Sequence, residues 1–197
     1  MSEARVQGDA PEFTAQAVMP NGEMKEVSLS DYKGKYVLLF FYPLDFTFVC
    51  PTEIISFSDR IKEFEERGVQ VLGVSVDSHF SHAAWRGTDR KKGGIGDVTY
   101  PLIADLDKSI STNYGVLLEK PGIALRGAFL LDKDHKVRHV TINDLPLGRS
   151  IDEFLRLADA LQFTEEHGEV CPANWNKGDD AMKPNQDGLE SYSKSHF

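Results

Sequence analysis

The sequence of 197 residues contains only two cysteines, Cys50 and Cys171, and each is a candidate nucleophile. Proline is favoured in the first turn of a helix, because its missing N–H would have no partner there, so Pro51 predicts that Cys50 lies at or next to an N-cap. There the helix dipole favours a negatively charged sulfur by about 0.3–2 kcal/mol, and the amides of Thr52 and Glu53 can point toward it. A thiolate is the form of cysteine that attacks electrophiles. From these residues alone, Cys50 is either such a nucleophile or a buried structural thiol.

Four further side chains could support chemistry at a thiolate. Arg126 interrupts the apolar segment 124–131, where burial of a guanidinium is costly unless it faces a negative charge. Thr47 has a hydroxyl that both donates and accepts hydrogen bonds, Pro43 has no N–H and would stiffen its loop, and Glu53 is an acid in a first helical turn. Each also has an ordinary explanation: an edge-strand arginine, a loop threonine bonding its own backbone, a strand terminator and a residue favoured by the dipole.

The segment Pro43-Leu-Asp-Phe-Thr-Phe-Val-Cys50-Pro51 resembles the peroxidatic loop of the peroxiredoxins, whose motif is Pro-x-x-x-Thr-x-x-Cys. The flanking Phe41-Tyr-Pro43 and Cys50-Pro-Thr-Glu53 are similar to the typical two-cysteine subfamily, which includes the bacterial alkyl hydroperoxide reductase C component. The resemblance spans essentially the whole chain, through residues 77–85, 93–96, 100–105, 143–149 and 169–175.

This resemblance implies a thiol peroxidase. No cofactor and no metal are expected. Cys50 is implied to attack a hydroperoxide and to become a sulfenic acid. Such a reaction needs hydrogen bonds to the attacked oxygen and stabilisation of the leaving oxyanion. The resemblance implies that Thr47 and Arg126 supply them, that Glu53 orients Arg126, and that Pro43 shields the sulfur.

Cys171 lies in a polar region, where it is either a second thiol that condenses with a sulfenic acid or a free surface cysteine. The resemblance implies the first, with Cys171 attacking Cys50 of the partner subunit. It implies a homodimer, assembled in typical relatives into a decameric ring, with hydroperoxides as substrates and thioredoxin or a dedicated flavoprotein as reductant. A redox-regulated chaperone or thiol relay with little peroxidase turnover is the alternative function.

The elements that position these residues follow from apolar patterns. Residues 36–42 are apolar throughout, which predicts a central strand covered on both faces. Residues 51–67 carry one apolar helical stripe, and residues 69–76 are β-branched and apolar, so a parallel βαβ unit is predicted. A helix is expected to begin near Ser78, residues 125–131 and 137–142 should form antiparallel strands, and a last helix should begin at Ser150.

Beyond Phe163 the composition becomes polar, with too few apolar residues for an independent core. Together with the resemblance, this predicts an α/β fold: a thioredoxin-like mixed β-sheet flanked by helices over residues 1–163. Residues 164–197 are predicted to form a C-terminal tail that carries Cys171.

Several other functions are disfavoured by composition and spacing. The 31 acidic and 22 basic residues give a net charge of −9, which works against binding nucleic acid or anionic lipid. Gly93-Gly-Ile-Gly96 lacks the ending of a phosphate loop, and His79 and His82 share a helical face without completing a zinc site, so both histidines are expected to be solvated or capping. With no apolar signal segment and no run of membrane-spanning length, a soluble, cytoplasmic protein is expected.

Overall fold

The computed structural model describes residues 4–197 and forms two compact units, one up to Ile151 and one from Asp152 to Phe197. The strands are β1 (Thr14–Val18), β2 (Met24–Ser28), β3 (Tyr36–Phe41), β4 (Val69–Ser75), β5 (Leu102–Ala104), β6 (Leu117–Leu118), β7 (Ile123–Ala124), β8 (Arg126–Leu131) and β9 (Val137–Asn143). The α-helices are α1 (Cys50–Asp59), α2 (Ile61–Glu66), α3 (His79–Arg86), α4 (Ser109–Asn113), α5 (Ile151–His167) and α6 (Gln186–His196). Within residues 4–197, no helix combines the length and the apolar character needed to cross a membrane.

The first unit is built around a seven-stranded mixed sheet with the order β2-β1-β5-β4-β3-β8-β9. The apolar strand β3 lies inside it, parallel to β4 and antiparallel to β8, and all six of its residues are buried. The predicted central strand, the parallel βαβ unit and the antiparallel pair β8–β9 are therefore confirmed.

Helices cover both faces of this sheet. Side chains alternate along β3 and all of them are apolar, so both faces present apolar groups that must be buried. On one face, Phe41 packs into the main core, where its ring centroid lies 5.4 Å from that of Tyr114, just after α4. On the other face, Phe40 stacks on Phe57 of α1 at 4.5 Å. Trp85 of α3 is fully buried in an aromatic cluster on that same side, next to Tyr42. The predicted mixed sheet flanked by helices is confirmed.

The helix predicted over residues 51–67 is instead two helices, because the backbone at Arg60 leaves the helical region (φ −108°, ψ 14°). The Arg60 guanidinium pairs with Glu63 in the first turn of α2, at 2.7 Å. The other predicted helices begin close to the expected residues. Ser78 caps α3 by accepting the Ser81 amide, and α5 begins at Ile151, one residue after Ser150.

The second unit contains α5, a connecting segment and α6. An antiparallel bridge joins Val170 to Met182, and the Asn185 side chain caps α6. Trp175 is buried, with its ring 5.0 Å from that of Phe163. The predicted polar tail therefore contains a helix of its own, and the predicted domain boundary after residue 163 stays a prediction.

Candidate active site

Cys50 is the first residue of α1 and is fully buried, just beyond the end of the central strand β3. The N-cap is Val49, so the prediction that Cys50 lies at or next to an N-cap is confirmed. The amides of Thr52 and Glu53 were expected to point toward the sulfur. They donate instead to the Val49 carbonyl oxygen, at 3.1 and 3.4 Å. The helix starts one residue earlier than Pro51 suggested, and this carbonyl accepts the first amides of the turn.

The Thr47 hydroxyl lies against the sulfur. Its Oγ1 is 2.8 Å from Cys50 Sγ and 2.9 Å from the Leu44 carbonyl oxygen. A hydroxyl has one proton, so it donates to only one of these atoms at a time. With a thiol, the S–H can donate to Oγ1 while the hydroxyl donates to Leu44; with a thiolate, the hydroxyl donates to Sγ. The contact suits both forms of the sulfur.

Arg126 is the second group at the sulfur. It is the first residue of β8 and is 3% exposed, with Nη1 3.4 Å from Cys50 Sγ. The same Nη1 donates to Glu53 Oε2 at 2.7 Å, and Nε donates to the Leu145 carbonyl oxygen at 2.6 Å. The structure therefore brings together Cys50, Thr47, Arg126 and Glu53, and it places the guanidinium inside the protein against charge partners.

Arg149 also belongs to this cluster, although no local sequence pattern distinguishes it. Its Nε donates to Glu53 Oε1 at 2.8 Å, its Nη2 to Oε2 at 3.0 Å, and its backbone amide to Oε1 at 2.9 Å. The guanidinium lies over the Phe40 ring, 5.2 Å from the centroid. Its place at the end of segment 143–149, which carries part of the family resemblance, is the one signal that could have identified it.

The cluster carries more positive than negative charge. One carboxylate, Glu53, lies between the guanidiniums of Arg126 and Arg149, so these three side chains together carry one net positive charge. All three side chains are at most 4% exposed, and a buried charge is costly unless an opposite charge balances it. The Arg126 guanidinium brings this positive charge to within 3.4 Å of the Cys50 sulfur.

Pro43 is buried in the loop that follows β3. The chain turns there from the central strand toward α1, so Pro43 lies on the path between the strand and Cys50. Its implied role in shielding the sulfur stays a prediction.

Cys171 lies in the second unit and is partly buried rather than fully exposed. Its Sγ is 3.8 Å from the Ala160 carbonyl oxygen of α5. Burial raises the pKa of the Cys171 thiol, and the positive charge of Arg156 partly offsets this effect. Both cysteines are free thiols in this structure.

The predictions for the glycine-rich segment and for His82 have different outcomes. Gly93 and Gly96 have left-handed backbone angles (φ 81° and 64°) in a loop after a short 3₁₀ turn, as a plain loop would. His82 was expected to be solvated or capping, and this prediction is wrong. The side chain is fully buried, and its Nδ1 lies 2.8 Å from Asp45 Oδ2. Among residues 4–197, no three His, Cys, Asp or Glu side chains form a group that could hold a metal ion.

Comparisons with known proteins agree along the whole chain. Residues 6–140 match the AhpC/TSA family, and residues 160–195 match the C-terminal domain of 1-Cys peroxiredoxin. Peroxiredoxin-2 of Bos taurus is 60% identical over 193 residues, covering 98% of this chain and 96% of that protein. The mitochondrial thioredoxin-dependent peroxide reductase of Drosophila melanogaster is 56% identical, covering 100% of this chain and 84% of that protein.

A solved structure shows the same fold. The reduced 2-Cys peroxiredoxin of Plasmodium vivax superimposes with a TM-score of 0.94 at 48% identity, covering 96% of this chain and 98% of that one. These relatives are from animals and a protozoan, so particular closeness to the bacterial alkyl hydroperoxide reductase C component stays a prediction.

Proposed function

Because the chain belongs to the AhpC/TSA family and is a peroxiredoxin, a thiol-dependent peroxidase, we propose that it reduces hydrogen peroxide and organic hydroperoxides by attack of the Cys50 thiolate. The observation that carries this proposal is the contact of one buried sulfur with both a hydroxyl and a guanidinium, at 2.8 and 3.4 Å. A nucleophile and two hydrogen-bond donors meet at one point, which heterolysis of an O–O bond requires.

In the proposed first step, the Cys50 thiolate attacks one oxygen of ROOH. A new S–O bond forms as the O–O bond breaks, and the sulfur becomes a sulfenic acid. The departing RO⁻ takes a proton from the solvent, which balances the proton that the Cys50 thiol released on ionising, and leaves as alcohol, or as water when the substrate is hydrogen peroxide. Arg126 stabilises the negative charge as it moves from sulfur to the departing oxygen, and the Thr47 hydroxyl orients the peroxide.

In the proposed second step, Cys171 attacks the sulfenic acid on Cys50 of the partner subunit, which forms a disulfide and releases water. Cys50 is fully buried in the first turn of α1, so a second sulfur reaches it only if this turn unwinds. We therefore propose a homodimer with two active sites, in which local unfolding precedes disulfide formation.

Exposed aromatic side chains support association of such dimers into a decameric ring. Phe46, Phe48 and Phe80 are 55%, 94% and 66% exposed, the first two on the loop before Cys50 and the third on α3. Large exposed apolar groups close together are characteristic of surfaces that bind another protein. We propose that these rings contribute to the contact between dimers.

We propose thioredoxin as the reductant of the disulfide, with a dedicated flavoprotein as the alternative. The relative named a thioredoxin-dependent peroxide reductase supports the first. A cytoplasmic location is proposed with it, since the cytosol keeps free thiols reduced.

A coupled assay of NADPH oxidation, with thioredoxin and its reductase present, tests the function and the role of Cys171 together. The wild-type protein should oxidise NADPH in proportion to added peroxide. Cys171→Ser should keep a fast first turnover but lose sustained turnover with thioredoxin, because no disulfide forms for thioredoxin to reduce. Non-reducing electrophoresis after peroxide treatment should show monomer. A disulfide-linked dimer of Cys171→Ser would contradict the assignment, and wild-type protein that consumes little peroxide would favour the chaperone or relay.

The raised pKa of Cys171 predicts how the second step depends on pH. Only the thiolate attacks, so below this pKa the rate of disulfide formation should rise by up to about tenfold per pH unit. Arg156 lowers the pKa, so Arg156→Gln should raise it further and slow disulfide formation at neutral pH. Rapid-quench measurement of the disulfide across pH 6–10 tests this. Arg156→Lys keeps the charge and serves as the control, and identical pH profiles for the Gln and wild-type proteins would contradict the prediction.

A further inference from the structure

A buried polar network lies beneath the loop that leads to Cys50. The side chains of His82 and Asp45 are 0% and 1% exposed, and His82 Nδ1 is 2.8 Å from Asp45 Oδ2. The other carboxylate oxygen accepts from the Tyr42 hydroxyl at 2.9 Å. The second ring nitrogen of His82, Nε2, is 3.2 Å from the Ile103 carbonyl oxygen. The network thus connects α3 to both the end of β3 and the loop.

Both ring nitrogens of His82 face hydrogen-bond acceptors. A carbonyl oxygen and a carboxylate oxygen both accept hydrogen bonds, so each ring nitrogen faces a group to which an N–H can donate. His82 and Asp45 are thus each other's buried polar partners. Removal of one partner leaves the other buried without its counterpart, which strongly destabilises such a site.

The backbone of Asp45 is held as well. Its amide donates to Asp77 Oδ2 at 2.8 Å. The next residue, Phe46, has a φ of 54°, in the left-handed region that residues other than glycine rarely adopt. The Phe46 ring packs 5.6 Å from that of Trp85, which lies one helical turn after His82 in α3. The surroundings therefore hold this loop in a conformation that its own backbone disfavours.

We propose that His82 is a positioning residue for peroxide reduction, because through Asp45 it holds the loop that presents Thr47 to Cys50. Asp45 precedes Thr47 by two residues, and the Thr47 hydroxyl is 2.8 Å from the sulfur. This inference rests on the proposed function, in which the turn at Cys50 unwinds before the disulfide forms. The buried pair stabilises the folded loop, so it favours attack on peroxide and delays disulfide formation. The two steps respond in opposite directions when the pair is lost.

His82→Gln and Asp45→Asn test this inference when stopped-flow and rapid-quench experiments measure the two steps separately. We expect His82→Gln to slow peroxide reduction by about 10- to 100-fold, the scale of a small displacement of a catalytic group. Disulfide formation from the sulfenic acid should become about 3- to 10-fold faster, because the turn unwinds more readily. The double variant should lie closer to wild type than the product of the two single effects, since neither group is left without its counterpart.

The control is His79→Gln, the same substitution on the same helix, where the ring packs on Phe80 with centroids 4.1 Å apart. It should leave both rates at their wild-type values. Asp77→Asn provides a second, milder variant that weakens the anchor of the Asp45 amide and keeps the buried pair, so a failure of His82→Gln to fold does not prevent the test. It should give smaller changes, again in opposite directions.

A purely structural role for His82 would lower the melting temperature without opposed changes in the two rates. If both rates fall together in His82→Gln and Asp77→Asn, or if neither rate changes, the inference is overturned. If the two rates do not change in opposite directions but peroxide reduction still depends on Cys50, this inference alone is overturned. If Cys50→Ser consumes peroxide as fast as wild type, the proposed function itself fails.

Discussion

Cys50→Ser should lower the second-order rate constant for peroxide reduction by about 10⁴-fold or more, the scale on which loss of a nucleophile acts in enzymes. A serine hydroxyl is not ionised at neutral pH, so it cannot use the positive charge that Arg126 holds 3.4 Å from the sulfur position. Stopped-flow measurement of hydrogen peroxide consumption under single-turnover conditions gives this rate constant directly.

The change from sulfur to oxygen is small, and the Thr47 contact at 2.8 Å can still form with a serine hydroxyl. We therefore expect Cys50→Ser to keep the wild-type near-ultraviolet circular dichroism. Cys171→Ser is the matched control, because it removes the other thiol and should retain the fast first turnover. Equal rates for Cys50→Ser and the wild type would exclude Cys50 as the nucleophile.

Arg126→Gln should reduce the same rate constant by about 10²- to 10³-fold, the usual effect of removing one donor that stabilises a developing oxyanion. The variant loses the charge 3.4 Å from Cys50 Sγ. Glu53 keeps three hydrogen bonds from Arg149, so its carboxylate remains paired and the fold should persist. The rate constant of Arg126→Lys should fall between those of Arg126→Gln and the wild type, because lysine keeps the positive charge but lacks the planar set of N–H donors.

Arg138→Gln is the control for this prediction. It makes the same substitution on β9, where Arg138 pairs with Asp132 at the opposite end of the β8–β9 ladder from Arg126. Peroxide reduction by Arg138→Gln should match the wild type. A rate constant for Arg126→Gln within twofold of the wild-type value would show that the guanidinium does not act on the reacting atoms.

The parts of the site that the sequence predicted are those with a local signal. Pro43, Thr47 and Cys50 form one short motif that carries the family resemblance, and Arg126 interrupts an apolar segment, so each has a local signal, while its role is implied by the resemblance. Arg149 has no such signal, because its partner Glu53 is 96 positions away. The burial of His82 likewise depends on a carboxylate 37 positions away. Only the folded chain shows that these partners meet.

The fold shows the same division. Strand β3 was predicted because it is apolar at all six positions, which is a local property. The break between α1 and α2 was missed, since the apolar stripe continues past Arg60 and has the same period on both sides. Helix α6 was missed because it contains few apolar residues and none of its side chains is buried, so its apolar pattern is weak, and its cap at Asn185 is the main signal of where it begins.

The burial of the salt bridges of Glu53 with Arg126 and Arg149 determines how strongly dissolved salt affects the site. Their side chains are at most 4% exposed, so dissolved ions have no access to the space between them. Screening by electrolyte weakens interactions between charges on a surface far more than interactions between buried charges. We therefore expect the electric field that these charges produce at Cys50 to change little with the ionic strength of the solution.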